Sequence, residues 1–129
     1  MKKIKHKSTK TLRKKAWKLM SEYVRQRDKG ICITCGTMKH WKEQQAGHYI
    51  HKDCLDFDFT NINCQCARCN KWLHGNSGVY GEILIKRHGL KKIEKLREKS
   101  ERVKKWSIGE LEQIISELQE RIRCSAIKK

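Results

Sequence analysis

The 129-residue chain contains no proline, few aromatic residues (7%) and only 14 acidic side chains against 31 lysines and arginines. Each scarcity excludes something. Without proline, the ends of helices have to be marked by glycine and by capping residues. Few aromatic rings argue against base stacking as the main mode of ligand recognition, which counts against an RNA-binding zinc protein. No run approaches the roughly 18 apolar residues of a membrane span, so no membrane is expected. Met1 leads straight into Lys2, Lys3 and Lys5 with no apolar stretch behind them, so no secretory signal is expected and the cytoplasm is the expected location. Only 37% of residues are hydrophobic while 35% are charged. That makes a thin core for this length and calls for a further staple.

Seven cysteines supply a candidate. The number is odd, and four of the seven form two C-x2-C pairs, a pattern of metal ligation rather than of a disulfide framework. In a reducing cytoplasm such thiolates bind zinc instead of pairing with each other. The second abundance is positive charge, a net +17. A compact protein carrying that excess repels itself unless a polyanion relieves the repulsion, so nucleic acid is the expected partner. Eight of the cations fall within residues 1–15 with no acid among them: Lys2, Lys3, Lys5, Lys7, Lys10, Arg13, Lys14 and Lys15. Together with Arg68 and Lys71 in the second knuckle they are the candidate phosphate contacts.

Apolar periodicity places helices at both ends. From about Ser8, residues Leu12, Ala16, Leu19, Met20, Tyr23 and Val24 lie on one stripe, and Gly30 stops it. Residues 31–66 read as turns and hairpin, with β-like runs at Ile31–Thr34 and His48–His51. The chain re-enters helix through Asn70–His74 and breaks at Gly75-Asn76-Ser77. It then carries Val79, Ile83 and Leu84 on a helix ending near Gly89, and a weaker stripe of Leu90, Ile93 and Leu96. Ser107-Ile108-Gly109-Glu110 fits a capping box. The helix it opens, with Ile108, Leu111, Ile114, Ile115, Leu118 and Ile122, is strongly amphipathic; its stripe covers either the chain's own core or a second copy. The expected organisation is a basic arm and helix (1–30), a zinc-bound core (31–76) and a helical region that could mediate dimerisation (77–129).

A C-x2-C turn points two thiolates to one side of a tight knuckle, about 2.3 Å from a shared zinc. Cys32, Cys35, Cys66 and Cys69 make two such knuckles and close a tetrahedral site. Two other sets remain open at this level: His51-x2-Cys54 joined to Cys32 and Cys35, or Cys64 in place of Cys66. Cys54, Cys64 and Cys124 are otherwise expected to be ordinary, partly buried cysteines. A plain zinc ribbon separates its pairs by about 15–20 residues, whereas 30 residues, 36–65, separate Cys35 from Cys66. The surplus carries Ala46-Gly-His-Tyr49 and Asn61.

At these residues the chain resembles a family. His48, Asn61 five residues before Cys66, and Asn70 directly after Cys69 are similar to the H, N and final H/N positions of the HNH (ββα-metal) nucleases. The likeness is closer to the lambda-type NinG/Rap recombination nucleases of bacteriophages. It rests on Cys32-Ile-Thr-Cys-Gly-Thr37, Ala46-Gly-His-Tyr49, Asn61 with Gln65-Cys66, Cys69-Asn70, Gly75-Asn76, Tyr80 and Ser107-Ile-Gly-Glu-Leu111, from about Trp17 to Leu118. The resemblance implies an α+β fold: a zinc-stapled ββα-metal core, a basic N-terminal helix and a helical C-terminal extension. It also implies a metal-dependent endonuclease acting on Holliday junctions or D-loops. His48 would be the general base, Asn61 would orient the site, and Asn70 and His74, one helical turn apart, would face a catalytic Mg²⁺ or Mn²⁺. Many HNH enzymes place Asp or His immediately before the base; here Gly47 stands there, and Asp58, Asp56 or Asp53 is left to supply the acid. Two symmetric cuts in a four-way junction imply a homodimer, with the helix 107–124 as its candidate interface. The alternatives are a non-catalytic zinc DNA-binding module and a simple nicking or homing nuclease without preference for junctions. Taken singly, His48 also reads as a structural histidine or a zinc ligand, and Asn61 and Asn70 as turn and cap residues.

Overall fold

In the computed structural model, which describes residues 8–127, four helices surround a two-stranded antiparallel sheet. The order is α1 (Thr9–Arg27), β1 (Gln45–His48), β2 (Ile62–Gln65), α2 (Ser77–His88), α3 (Leu90–Lys99) and α4 (Ile108–Ile127), with short turns at Trp41–Glu43 and Asp53–Leu55 and a single π-type turn at Arg68–Trp72. Lys2, Lys3 and Lys5 lie outside the described residues.

Ser8 caps α1, its hydroxyl accepting from the Thr11 N–H at 3.1 Å, a bond typically worth about 1 kcal/mol. The helix closes where the sequence places its stop. Gly30 has φ +71°, and its N–H donates back to the Arg25 carbonyl. A β-carbon there would stand 1.9 Å from the Lys39 carbonyl oxygen, so glycine is required by conformation and by space alike. Leu12, Ala16, Met20 and Val24 form the buried stripe of α1. They meet Leu111, Ile115 and Leu118 of α4, with Leu12 and Ala16 beside Leu111 and Ile115, and Met20 and Val24 beside Leu118 and Ile62.

That packing decides the ambiguity in the C-terminal stripe. Leu111 and Leu118 are fully enclosed in the chain's own core, so this face of 107–124 is not a surface left over for a second copy. The capping box is present as expected: the Glu110 N–H donates to the Ser107 hydroxyl (3.1 Å) and the Ser107 N–H to the Glu110 carboxylate (3.2 Å).

The strands also differ from expectation. β1 begins at Gln45 and pairs with β2 in the register Gln45↔Gln65 to His48↔Ile62. Ile31–Thr34 forms no strand of its own. Its start makes one isolated bridge, Ile31↔Met38, and the Ile33 N–H donates to the Cys64 carbonyl. The knuckle turns the backbone too sharply for extension, and the Cys32 N–H closes it on the Thr37 carbonyl. β2 is buried along its whole length, so its polar side chains need partners. Arg27 supplies one set, donating to the carbonyls of Phe59 and Ile62 and to Asn63 Oδ1 at 2.8 Å while paired with Asp28. Asp28 in turn accepts from the Cys64 N–H. The end of α1 is thereby fastened to β2. On the other side Tyr80, Leu84 and Ile93 from α2 and α3 enclose Ile33.

Replacing Leu118 with Ala should lower the unfolding free energy by about 2–5 kcal/mol in urea titration, and Leu118→Glu should abolish cooperative folding rather than yield a folded monomer.

Candidate metal centre and active site

The sulfurs of Cys32, Cys35, Cys66 and Cys69 all lie within 4.8 Å of one another, with Cys35 and Cys66 3.6 Å apart. Four thiolates about 2.3 Å from a tetrahedral zinc stand roughly 3.8 Å from each other. The donor set therefore fits a closed structural zinc site. Backbone and side-chain donors support it: the Cys69 N–H points to Cys66 Sγ (3.4 Å) and Asn76 Nδ2 to Cys69 Sγ (3.9 Å), the kind of outer contact that fixes metal ligands. Among the described residues this is the one group of three or more histidine, cysteine or acidic side chains so closely gathered. The rival sets fall away. Cys54 Sγ donates to the Lys99 carbonyl. Cys64 is buried in β2 and is not among the four gathered sulfurs. Cys124, expected to be partly buried, is exposed on α4.

β1 carries His48 to the face that meets α1. Alternation along a strand sends Ala46 and His48 to one side, Gln45 and Gly47 to the other. Ala46 joins the Met20–Val24 cluster, and the His48 ring stacks on Trp17 with centroids 4.6 Å apart. His51 covers the imidazole at 5.1 Å. Burial, then the neighbouring His48, hold the His51 ring below the ordinary histidine pKa against the pull of Asp56. His48 Nε2 lies 3.1 Å from Asp56 Oδ1, and Arg13 reaches the other oxygen of the same carboxylate at 3.3 Å. A neutral imidazole that donates its Nε2–H to Asp56 would carry its lone pair on Nδ1.

Asn61 holds the loop that carries Asp56. Its fully buried amide accepts from the Ile50 N–H (2.8 Å) and donates to the carbonyls of Ile50 (3.0 Å) and Leu55 (3.2 Å). Asp58 closes the turn at the end of this loop, accepting from the N–H groups of Thr60 and Asn61 and pairing with Lys99. The acid beside His48 is thus Asp56, and Asp58 is engaged elsewhere. Asn70 does not meet His48 either: its Nδ2 donates to Gln45 Oε1 at 2.8 Å, on the opposite face of β1. His74 is exposed, in a turn with φ +50°. Arg68 and Lys71 are exposed on the second knuckle. Lys15 is exposed on α1, while Lys10, Arg13 and Lys14 line a groove of about 420 Å³ with Thr9, Trp17, Asp56 and Phe57. Trp17 and Asp56 connect that basic groove to His48. Sequence carried no sign of Trp17 as part of the site beyond its position, i+7 from Lys10 on the same helical face.

Gly47 now has a structural reason. A β-carbon there would sit 1.7 Å from Gln65 Oε1. The Gln65 side chain is fully buried and held by donation to Thr34 Oγ1 (3.2 Å) and the Gly75 carbonyl (2.9 Å). Gly47→Asp should therefore cost about 1–3 kcal/mol by overpacking alone. In urea titration the combination with Gln65→Ala should recover part of that loss; strict additivity of the two changes would refute the clash.

A family model described as "Bacteriophage Lambda NinG protein" matches residues 1–129. "Protein ninG" of Salmonella phage P22 is 32% identical over 114 residues, which cover 85% of this chain and 55% of that protein. The chain thus spans about half the length of the curated relative it matches. No solved structure matches. The motifs spread from the first knuckle to the capping box anticipated this kinship, and the chain belongs to the bacteriophage NinG family.

Proposed function

We propose that the chain is a metal-dependent DNA endonuclease of the HNH type that cuts branched recombination intermediates. The observation that supports it best is the Asp56–His48 pair at the head of the basic groove of α1. Hydrolysis of a phosphodiester needs a base to take the proton of the attacking water. His48 Nδ1 is that base, Asp56 holds the ring in the required tautomer, and Trp17 and His51 hold its plane. Asn61 acts one step back, by fixing the loop that bears Asp56. Arg13, shared between Asp56 and the groove, faces the substrate phosphate, and Lys10, Lys14 and Lys15 with Lys2, Lys3 and Lys5 extend the phosphate contacts along the duplex.

The four cysteines hold one structural zinc ion, which contributes on the order of 10–16 kcal/mol to folding and joins the two ends of the ββα unit. A second cation, Mg²⁺ or Mn²⁺, would neutralise charge growing on the leaving oxygen. Such ions take few protein ligands, since water and phosphate oxygens fill the remaining positions; Asp56 is the carboxylate beside the base. Two copies related by a two-fold axis would make the paired cuts of a junction resolvase, through some face other than the buried stripe of α4. A second reading is a zinc-dependent DNA-binding module without catalysis. It is favoured by Gln65 filling the space where an acid at position 47 would project.

One assay separates them. The protein is incubated with Mg²⁺ or Mn²⁺ and labelled four-way junction, flap and linear duplex, beside His48→Ala and Asp56→Asn. Cleavage should fall by about 10²–10⁴-fold in His48→Ala and less in Asp56→Asn, with far-UV dichroism unchanged. Cleavage untouched by the His48 change removes the base assignment, and tight binding without cleavage of any substrate favours the module. Elemental analysis should find one zinc per chain, and Cys66→Ser should lower both the zinc content and the thermal midpoint.

A further inference from the structure

The loop from Asp53 to Thr60 separates two grooves. On one side Asp56 and Phe57 face the α1 groove with Lys10, Arg13 and Lys14. On the other, Asp58 and Thr60 face a second groove of about 180 Å³ lined by Lys92, Lys95, Leu96 and Lys99 of α3. Residues next to each other in sequence thus open onto opposite helices, with Asp56, the partner of His48, on the α1 side. Each groove has three cations at helical spacing against a carboxylate of the loop: Arg13 binds Asp53 and Asp56, and Lys99 binds Asp58 at 3.7 Å.

The Lys92–Lys95–Lys99 row lines the groove, whereas Glu94 and Glu98 do not; Glu98, three residues on from Lys95, stands at the edge of the row. The positive field continues into the last turn of α2, which ends Lys86-Arg87-His88. Burial and the charges of Lys92, Arg87 and Arg27 hold His88 below its ordinary pKa. Three lysines span roughly 10 Å of helix, a length over which one strand of B-form DNA presents about three phosphates.

We infer that the α3 groove is a second DNA-binding surface, which takes the backbone of one duplex arm of a branched DNA while the α1 groove holds another, with the loop 53–60 as the wedge between arms. The inference deepens the reading above and rests on it for the nature of the ligand, DNA, but not on catalysis. A linear duplex can occupy one groove at a time, whereas a branched substrate occupies both. Preference for branches then follows from geometry and charge, without any base-specific contact.

Binding is measured without added divalent cation, by fluorescence anisotropy across a salt series, using a four-way junction and a linear duplex of equal arm length. For the wild-type chain the junction should give the steeper dependence of log affinity on log salt. Lys92→Gln/Lys95→Gln, on exposed side chains, should reduce the junction slope by about 0.9 for each lysine lost. It should weaken junction binding at least tenfold while leaving the duplex slope unchanged. Lys10→Gln/Lys14→Gln should likewise bring the junction slope toward that of the duplex. Equal wild-type slopes for the two DNAs, or a junction slope unmoved by the α3 substitutions, overturns the two-groove arrangement. If both grooves bind and nothing is cut, this inference stands and the nuclease reading fails; if the protein cuts DNA and the α3 lysines have no effect on binding, the reverse holds.

Discussion

The gathering of four sulfurs from two distant turns is the constraint on which the rest of this molecule depends. Residues 32–35 and 66–69 are held within one coordination sphere's width, so the intervening chain must leave and return to the same point. It does so as β1, a long loop and β2. The two strands are only four residues each, too short to be stable in isolation. The knuckles fix their far ends, the Arg27–Asp28 pair fastens β2 to α1, and Tyr80 bonds to the Gly47 and Asn61 carbonyls from behind. A chain with 35% charged residues reaches a defined structure this way because a few strong, directional constraints replace a large apolar core.

The same closure sets the chemistry. The loop between the strands has to be stiff if His48 is to meet a particular acid, and Asn61 stiffens it with three backbone bonds from a fully buried amide. Trp17 then ties the imidazole to α1, whose charged face forms the groove. A single buried asparagine therefore fixes the loop that bears the partner acid of a histidine without touching the histidine itself. The same loop lies between the basic groove of α1 and that of α3.

Legibility in the sequence followed the range of the interaction. Local rules served well where caps and periodicity act within one turn. Ser8, Gly30 and the Ser107–Glu110 box mark their helices, and the C-x2-C spacing points to the four cysteines that the fold gathers, while the sets with His51, Cys54 or Cys64 fall only to the structure. The choice among Asp53, Asp56 and Asp58 was not legible, because all three lie in one six-residue stretch and only the turn geometry decides which carboxylate returns to His48. Asn70 was misdirected for a related reason. It follows the knuckle immediately in sequence, but the pleat of β1 puts its partner Gln45 and His48 on opposite faces.

By itself the sequence determined which segments are helical, that two C-x2-C pairs could share a metal, that the chain carries a large positive excess, and which family the motifs resemble; all of these depend on residue type and short-range spacing. Tertiary structure alone decided the rest. It turned the α4 stripe inward onto α1, because an apolar face specifies that it must be covered but not by what. It left little room for a side chain at Gly47 by filling its side of the strand with Gln65, a neighbour set by strand pairing across the sheet. It also placed Lys92, Lys95 and Lys99 beside the same loop as Arg13, an arrangement that requires two helices far apart in the chain to be packed on either side of one turn.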